Sequence, residues 1–301
     1  MKAKRVVFVL LLGTVLASPA ATPTPKAVRM TTGNLFDPSP APDGRRMVVI
    51  GMVEGKEQLF ITALNGSHAV QITHGAWDHE DPAWSPDGRR IALVSRQGGG
   101  ETIVTIDPDG HHLVRISPTS RRAIHPSWSR DSKQLFYCTD DDLHPPKKNT
   151  SEIYAADVAT GAIRPVISGG VNTYPNLSPD GRHIVFRRML GETNSEVFVA
   201  DSDGSHAANL TRNPAFDGWP AWSPDGQHIA FASNRAGGPQ VYKIYVMAAD
   251  GSGVRLVAES DGRGTAPKWT PDGRSILFTI CKRAGTGFDC EVYRAPSAEQ
   301  P

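Results

Sequence analysis

Residues 81–88 read Asp81-Pro82-Ala83-Trp84-Ser85-Pro86-Asp87-Gly88, and the second half of this segment recurs throughout the chain. The tetrapeptide Ser-Pro-Asp-Gly occurs three times, and the variants Ala-Pro-Asp-Gly, Thr-Pro-Asp-Gly and Ser-Arg-Asp-Ser also occur. Successive aspartates of the six copies are 44 to 49 residues apart. They are Asp43, Asp87, Asp131, Asp180, Asp225 and Asp272. A period of this length over most of the chain predicts a repeat architecture.

Each copy has the same order of local signals. An X-Pro segment precedes the turn, whose Pro, Asp and Gly suit successive positions of a type I turn in a tight hairpin. A strand rich in β-branched and aromatic residues follows, as in Ile91–Ser95, and then a third strand such as Glu152–Tyr154. A second glycine turn leads to a fourth strand such as Ala69–Thr73. Because helical periodicity is lacking, four antiparallel strands in each of six repeats predict an all-β, six-bladed β-propeller.

The two ends of the repeat region complement each other. The last repeat ends after a third strand at 291–295, and residues 27–31 match the fourth-strand pattern. We therefore expect strand 26–32 to complete the last blade and close the ring. The propeller would span residues 26–296, followed by a tail at 297–301. Its expected blades are 36–74, 80–118, 124–168, 173–212, 218–259, and 265–296 plus strand 26–32.

Residues 1–21 have the features of a secretory signal peptide. Lys2, Lys4 and Arg5 precede the short apolar run 6–12, and small residues follow up to Ala21. A short apolar run that ends in a cleavage-like region favours a signal peptide over a spanning helix, and an uncleaved anchor is the alternative. No later run approaches the roughly 18 apolar residues of a membrane helix. We expect a periplasmic or secreted protein with no membrane span after signal removal.

The composition and the missing motifs exclude several functions. The chain of 301 residues has 32 basic and 31 acidic side chains, so no basic field indicates nucleic-acid binding. The sequence contains no Gly-x-Ser-x-Gly nucleophile elbow and no nucleotide-binding glycine motif that leads from a strand into a helix. We expect no cofactor. A closed propeller has no exposed edge that requires pairing, so we expect a monomer.

Two of the three cysteines flank a hairpin. Cys281 and Cys290 enclose the polar stretch 282–289 between two apolar strands. Cysteines that face each other across a hairpin can form a disulfide in an oxidising compartment, worth about 2–3 kcal/mol in the chain-entropy description. Two free thiols are the alternative.

The repeat also predicts which residues meet at the mouth of the central channel. The inter-blade loops converge on this face of a propeller, where function usually lies. The residue before the first-strand proline should therefore recur around the mouth, with its loop neighbours nearby. The expected ligand- or partner-binding residues are Asp37, Trp77, His79, Asp81, His125, Tyr174, Phe216, Asp217 and Trp219. Acidic, imidazole and aromatic side chains of this kind suit a peptide or protein segment, with Trp77 and Trp219 as anchors.

The repeats resemble those of the TolB-like, WD-related propeller family. The resemblance rests on the six Pro-x-Trp-Ser-Pro-Asp-Gly-type copies and covers residues 26–296, without the extra α/β domain that precedes the propeller in TolB. It implies a non-catalytic, periplasmic scaffold that binds an envelope protein or peptide. The implied partners are the Tol system and its peptidoglycan-associated lipoprotein. Similar repeats occur in propellers attached to prolyl-oligopeptidase-type hydrolases and in oligogalacturonate lyases.

The resemblance to the lyases leaves an enzymatic alternative open. A metal-assisted polysaccharide lyase, of the oligogalacturonate type or a related one, would use histidine-bound metal. Asp37, His79, Asp81 and His125 are the weak candidates for its ligands, because they supply the nitrogen and oxygen donors that such ions accept. The ten histidines show no close ligand spacing such as His-x-x-x-His, so we expect no metal site.

Overall fold

The turn in the repeated motif is held by the hydrogen bonds that its residue types favour. The amide of Gly88 donates to the carbonyl of Ser85 at 2.9 Å, and the amide of Arg89 donates to Oδ1 of Asp87 at 3.0 Å. The Ser85 hydroxyl donates to the same Oδ1 at 2.6 Å. The aspartate side chain therefore caps its own turn, which explains why it recurs in every repeat.

The computed structural model describes residues 26–139, 150–238, 241–258 and 262–297. These residues form 24 strands in six four-stranded antiparallel sheets, and no helix occurs among them. The sequence-based prediction of a six-bladed propeller is therefore confirmed. The expected signal peptide at 1–21 and nearly all of the expected tail lie outside the described residues.

The first three blades follow one another along the chain, with the strands of each sheet in sequential order. Blade 1 consists of β2 (Leu35–Pro40), β3 (Arg46–Val53), β4 (Lys56–Ala63) and β5 (Val70–Gln71). Blade 2 consists of β6 (His79–Trp84), β7 (Ile91–Ser95), β8 (Thr102–Ile106) and β9 (Val114–Arg115). Blade 3 consists of β10 (Ala123–Trp128), β11 (Gln134–Thr139), β12 (Ile153–Asp157) and β13 (Ile163–Ile167).

The next two blades repeat this order, and the sixth differs in its outer strand. Blade 4 consists of β14 (Asn172–Leu177), β15 (His183–Met189), β16 (Ser195–Asp201) and β17 (Ala208–Asn209). Blade 5 consists of β18 (Asp217–Trp222), β19 (His228–Ser233), β20 (Lys243–Ala248) and β21 (Arg255–Ala258). Blade 6 consists of β22 (Arg263–Trp269), β23 (Ser275–Ala284), β24 (Gly287–Pro296) and β1 (Val28–Arg29).

The outer strand of blade 6 comes from the N-terminal segment. Strand β1 pairs antiparallel with β24, and the amide of Met30 donates to the carbonyl of Val292 at 2.8 Å. The carbonyl of Met30 also packs against Gly66 of blade 1, where an added Cβ would lie 1.9 Å from this oxygen. Gly110 and Gly204 approach the fourth strand of their preceding blades in the same way. The N-terminal segment thus contacts blade 1 as other fourth strands contact the next blade, but the ring's dependence on it stays a prediction.

The core lies within and between the blades. The second strands are mostly buried, and Ile91–Ser95 is buried at every position, because neighbouring blades cover both faces of each sheet. The repeated tryptophans connect adjacent blades. The indole of Trp128 donates to the carbonyl of Ala83 in blade 2 at 2.9 Å, and that of Trp269 donates to Ala221 in blade 5 at 3.0 Å. At these two positions the tryptophans therefore pack blade against blade.

Candidate functional site

Six equivalent residues of the innermost strands share an uncommon backbone conformation. Each precedes the first-strand proline and has a φ between 49° and 55°. They are Asp37, Asp81, His125, Tyr174, Trp219 and Ala266. A bulge in the pairing of the first and second strands accompanies each one, as between Glu80 and Ala83. Such a bulge redirects a side chain, and here it does so at the same level of every blade.

These six residues line one cavity of about 380 Å³ at the centre of the ring. A volume of this size lies within the roughly 300–1,000 Å³ range of ligand pockets. The structure therefore brings together five of the nine residues that the sequence predicted for the mouth, namely Asp37, Asp81, His125, Tyr174 and Trp219. The sixth member of the ring, Ala266, leaves a gap between Trp219 of blade 5 and Asp37 of blade 1.

Carboxylates concentrate on the side of the cavity formed by blades 1 and 2. Asp37, Glu57, Glu80 and Asp81 all line it. Burial, and after it the neighbouring Asp37 carboxylate, raises the pKa of Asp81 to about 7. Burial also raises the pKa of Asp37 to about 6, although the Lys268 ammonium opposes this change. Burial together with the neighbouring carboxylates raises the pKa of Glu57 to about 7.

His125 connects this acidic side to the aromatic side. Its amide donates to Oδ2 of Asp81 at 3.3 Å, and its Nε2 lies 3.6 Å from the same oxygen. Its ring lies against the ring of Tyr174, with the centroids 3.7 Å apart, and its Nδ1 is 3.2 Å from Sγ of Cys138. The imidazole is therefore fixed from several sides, in a position where a bound ligand would meet it.

Aromatic side chains form the opposite wall in blades 4 and 5. The ring of Trp219 lies 5.3 Å from that of Tyr174, 5.5 Å from that of Phe216 and 5.8 Å from that of Tyr242, measured between centroids. Phe216 and Tyr242 are themselves 5.1 Å apart with their rings nearly perpendicular. These tilted and edge-to-face contacts hold Trp219 in place, so the cavity presents a rigid aromatic surface.

Four of the predicted mouth residues do not line the cavity. Phe216 lies behind Trp219, as part of its packing. Asp217 is fully buried, and its Oδ2 accepts a hydrogen bond from Nη2 of Arg235 at 2.9 Å, so it belongs to a structural ion pair. His79 is buried outside the cavity, and Trp77 is 44% exposed on the inter-blade loop.

Sequence reasoning missed several cavity residues, among them Glu57, Lys268, Arg263 and Phe288. Lys268 occupies the position after the first-strand proline, where the other blades have Ser, Ala or Asn. An alignment of the repeats against each other would have shown this exception. Arg263 begins β22, and Phe288 lies on the hairpin of blade 6. Neither of these two belongs to the recurring motif, so no signal in the repeat indicated them.

The hairpin of blade 6 extends past the ends of the other blades. Its strands β23 and β24 have ten residues each, and the Cys281–Cys290 disulfide joins them where the hairpin leaves the blade. Both cysteines and Phe288 line the cavity, and Phe288 is 62% exposed. The hairpin therefore presents an apolar side chain beside the gap at Ala266.

The donor groups of the cavity do not match a metal site. Asp37, Asp81 and His125 line the cavity, but His79 lies outside it. Within the part of the chain that the structure describes, no three His, Cys, Asp or Glu side chains are close enough to hold one ion. The residues present therefore do not fit the metal that a lyase of this fold would use.

The raised pKa values of the carboxylates predict a pH-dependent stability. A carboxyl group with a raised pKa in the folded state stabilises the fold below about pH 4, and this contribution is lost as the pH rises through about 6 to 7. The Asp37→Asn/Asp81→Asn variant lacks this dependence. We expect it to exceed the wild type in free energy of unfolding at pH 8 by about 1–2 kcal/mol.

Urea unfolding at pH 8, 6 and 4 tests this expectation. The difference between variant and wild type should shrink steadily towards pH 4. Glu54→Gln, which changes an exposed carboxylate of the β3–β4 hairpin, is the control and should show no such trend. A difference that stays constant with pH would show that the two carboxylates are ordinary solvated groups.

Comparison with known proteins identifies relatives of the chain. The family described as the TolB beta propeller domain matches it at residues 15–146 and 102–286. The Tol-Pal system protein TolB from Bordetella pertussis is 31% identical over 92 residues, which are 30% of this chain but only 21% of that protein. This chain thus matches only about a fifth of the length of its curated relative.

Two solved structures have the same fold. TolB from Acinetobacter baumannii superimposes with a TM-score of 0.65 at 19% identity, covering 89% of this chain and 64% of that one. An oligogalacturonate lyase in complex with manganese gives a TM-score of 0.60 at 16% identity, covering 92% of this chain and 96% of that one.

The described residues include no helix of the length and apolarity needed to cross a membrane.

Proposed function

The chain belongs to the TolB beta-propeller family, and from this premise we propose that it is an exported, non-catalytic scaffold that binds a segment of an envelope protein at the central cavity. The cavity carries this proposal, because its size, its rigid aromatic wall and its charged groups suit a peptide segment. The relationship to a Tol-Pal system protein makes components of that system the first partners to test.

The location in the periplasm, or outside the cell, is part of the proposal. It is supported by the signal-like composition of residues 1–21 and by the relationship to TolB. The lyase alternative is not favoured, because the described residues provide no set of ligands for a metal ion. A scaffold needs no metal, so its binding should survive a chelator.

Affinity capture from an envelope extract tests the proposed function. The wild type and the His125→Ala/Trp219→Ala variant serve as baits, each with and without a chelator. We expect the wild type to retain a specific protein in both conditions and the variant to retain at least about tenfold less, because both wall contacts are removed. The melting temperature of each bait shows that it is folded.

The matched control is His112→Ala/His206→Ala. These two imidazoles are exposed on turns between third and fourth strands, on the face opposite the inter-blade loops. We expect this control to capture as much protein as the wild type. Equal capture by the wild type and the cavity variant would contradict binding at the cavity, and capture that a chelator abolishes would favour a metal-dependent protein.

A further inference from the structure

Acidic and aromatic side chains face each other across the ring of positive-φ residues. The six blades follow one another around the ring, so blade 4 lies across from blade 1 and blade 5 lies across from blade 2. At the level of the ring, Tyr174 is therefore opposite Asp37, and Trp219 is opposite Asp81. All four residues line the cavity. A group that enters the ring thus meets two carboxylates on one side and two aromatic rings on the other.

The carboxylates of the acidic wall have few partners within the protein. In the part of the chain that the structure describes, the side-chain oxygens of Asp37 and Glu57 accept no hydrogen bond and form no ion pair. Asp81 accepts one backbone hydrogen bond, at 3.3 Å. Glu80 forms an ion pair with Arg96 at 2.7 Å. The described residues thus leave three of the four lining carboxylates without a paired lysine or arginine.

The two cations of the cavity, both in blade 6, do not balance this charge. The Lys268 ammonium lowers the pKa of Asp37 and Asp81, but within the described ranges it forms no ion pair with either. Burial outweighs its effect and leaves the pKa of Asp37 at about 6 and that of Asp81 at about 7. Arg263 lies over the ring of Tyr242 in blade 5, 4.9 Å from its centroid. The site therefore lacks positive charge beside the two aspartates.

A buried hydroxyl of the same cavity also lacks a partner. Ser127 lies two residues after His125, lines the cavity and is 9% exposed. Its Oγ is buried without a hydrogen-bond partner among the described residues. At the equivalent position of blade 1, the hydroxyl of Ser39 accepts a hydrogen bond from the amide of Trp84 at 3.0 Å. An unsatisfied buried polar group is costly, and a ligand with N–H donors would satisfy it.

We propose that the cavity holds a lysine or arginine side chain of the bound segment, whose charged group donates to Asp37, Asp81 and Ser127. Its carbon chain lies against Tyr174 and Trp219, where the rings cover the apolar stem and add cation–π attraction. This inference rests on the proposed function, because it assigns the chemistry of the segment that enters the cavity. Ammonium and guanidinium groups carry only donors, which suits two carboxylates and an unpaired hydroxyl. An acidic side chain would add like charge to this wall.

Selection from a random dodecapeptide library displayed on phage, carried out at pH 8, tests this preference. The wild type and the Asp37→Asn/Asp81→Asn variant serve as baits. We expect the wild type to enrich peptides with a lysine or arginine at one defined position, and the variant to lose this enrichment. Asp109→Asn/Asp203→Asn removes the same charge from exposed turns on the opposite face. It is the matched control and should select like the wild type.

A double-mutant cycle with the best peptide assigns the base to the two aspartates. The peptide is N-acetylated, so that a terminal amine does not contribute, and the base is replaced by norleucine for lysine or citrulline for arginine. We expect this replacement to weaken binding to the wild type at least about tenfold, as for the loss of one partner of a desolvated ion pair. Asp37→Asn/Asp81→Asn should weaken the basic peptide similarly and leave the neutral one unaffected, because both changes remove the same contact.

Ser127→Ala provides a readout that a purely structural role would not give. It should weaken the basic peptide about tenfold and leave the neutral peptide unaffected, because a hydrogen bond to a charged group is lost. Its melting temperature should not fall, since the hydroxyl has no partner among the described residues of the free protein. Ser39→Ala is the control. It should lower the melting temperature, because the Trp84 amide loses its acceptor, and leave the affinity unchanged.

The outcomes separate this inference from the proposed function. Enriched peptides without a base, still lost with His125→Ala/Trp219→Ala, would preserve peptide binding at the cavity and overturn the preference for a base. No enrichment by the wild type over that variant would overturn both. Additive effects of the two changes in the cycle, or an unchanged affinity of Ser127→Ala, would show that the base binds elsewhere. Melting temperatures confirm that the aspartate variants are folded.

Discussion

A chain that begins at residue 33 should unfold far more readily than one that begins at residue 22. The removed segment supplies the outer strand of blade 6, and its Thr31 is buried beside Glu291. The Thr31 hydroxyl donates to Oε2 of Glu291 at 2.7 Å and accepts from the amide of Val292 at 2.8 Å. Thr73, Ser117 and Thr211 hold the equivalent third strands in the same way. The truncation thus removes a contact that the fold uses in several blades.

The expected loss is about 3–5 kcal/mol in free energy of unfolding, a large share of the stability of a domain. It arises because the truncation exposes the strand edge and leaves the buried Glu291 carboxylate without its hydroxyl partner. Thr31→Val removes only the hydroxyl partner of Glu291 and should lower the free energy of unfolding by about 1–3 kcal/mol. Ser67→Ala, which removes an exposed turn hydroxyl, is the control. An unchanged denaturation midpoint for the truncated chain would show that the ring does not depend on this strand.

Ala266→Trp should abolish binding at the cavity while the fold persists. The backbone at Ala266 has a φ of 51°, and the equivalent Trp219 has a φ of 52°, so the position accepts a large side chain. The added indole would occupy the gap beside Phe288 and fill much of the cavity. We expect the affinity for the captured partner to fall by at least about tenfold, or ~1.4 kcal/mol, with little change in melting temperature.

The controls for this variant distinguish a blocked cavity from a general effect of the substitution on the fold. Ala266→Ser keeps the cavity open and should bind like the wild type. Ala284→Trp adds the same indole at the exposed tip of the blade 6 hairpin and should also bind normally. Isothermal titration with the captured partner provides the affinities. If Ala266→Trp binds as tightly as the wild type, the partner does not enter the cavity.

The fold could be predicted because its signals repeat. Each Pro-Asp-Gly turn and each X-Pro strand start is a local feature with its own physical cause, and six copies at one period leave few alternatives. The ring of mouth residues followed from the same period, including Tyr174, which has no chemical likeness to Asp37 at the equivalent position. Position in the repeat, and not residue type, indicated where these side chains meet.

The rest of the site could not be predicted because it departs from the repeat. The bulge at each positive-φ residue breaks the alternation of side chains along the first strand, so neighbours of the ring need not face the cavity. Asp217 illustrates this, since it faces Arg235. Lys268 replaces the Ser, Ala or Asn of the other blades, and its charge matters only once the first strands converge on the cavity. Phe288 reaches the cavity only because its hairpin is long.

Photocrosslinking in intact cells tests most directly whether a partner binds at the cavity. Benzoylphenylalanine replaces either Phe288, which is 62% exposed beside the cavity, or Leu113, which is 50% exposed on the opposite face. We predict a crosslinked envelope protein from position 288 that is absent from position 113 and is lost when Ala266→Trp is added. A crosslink to the same protein from position 113 alone, or one from position 288 that survives Ala266→Trp, would contradict binding at the central cavity.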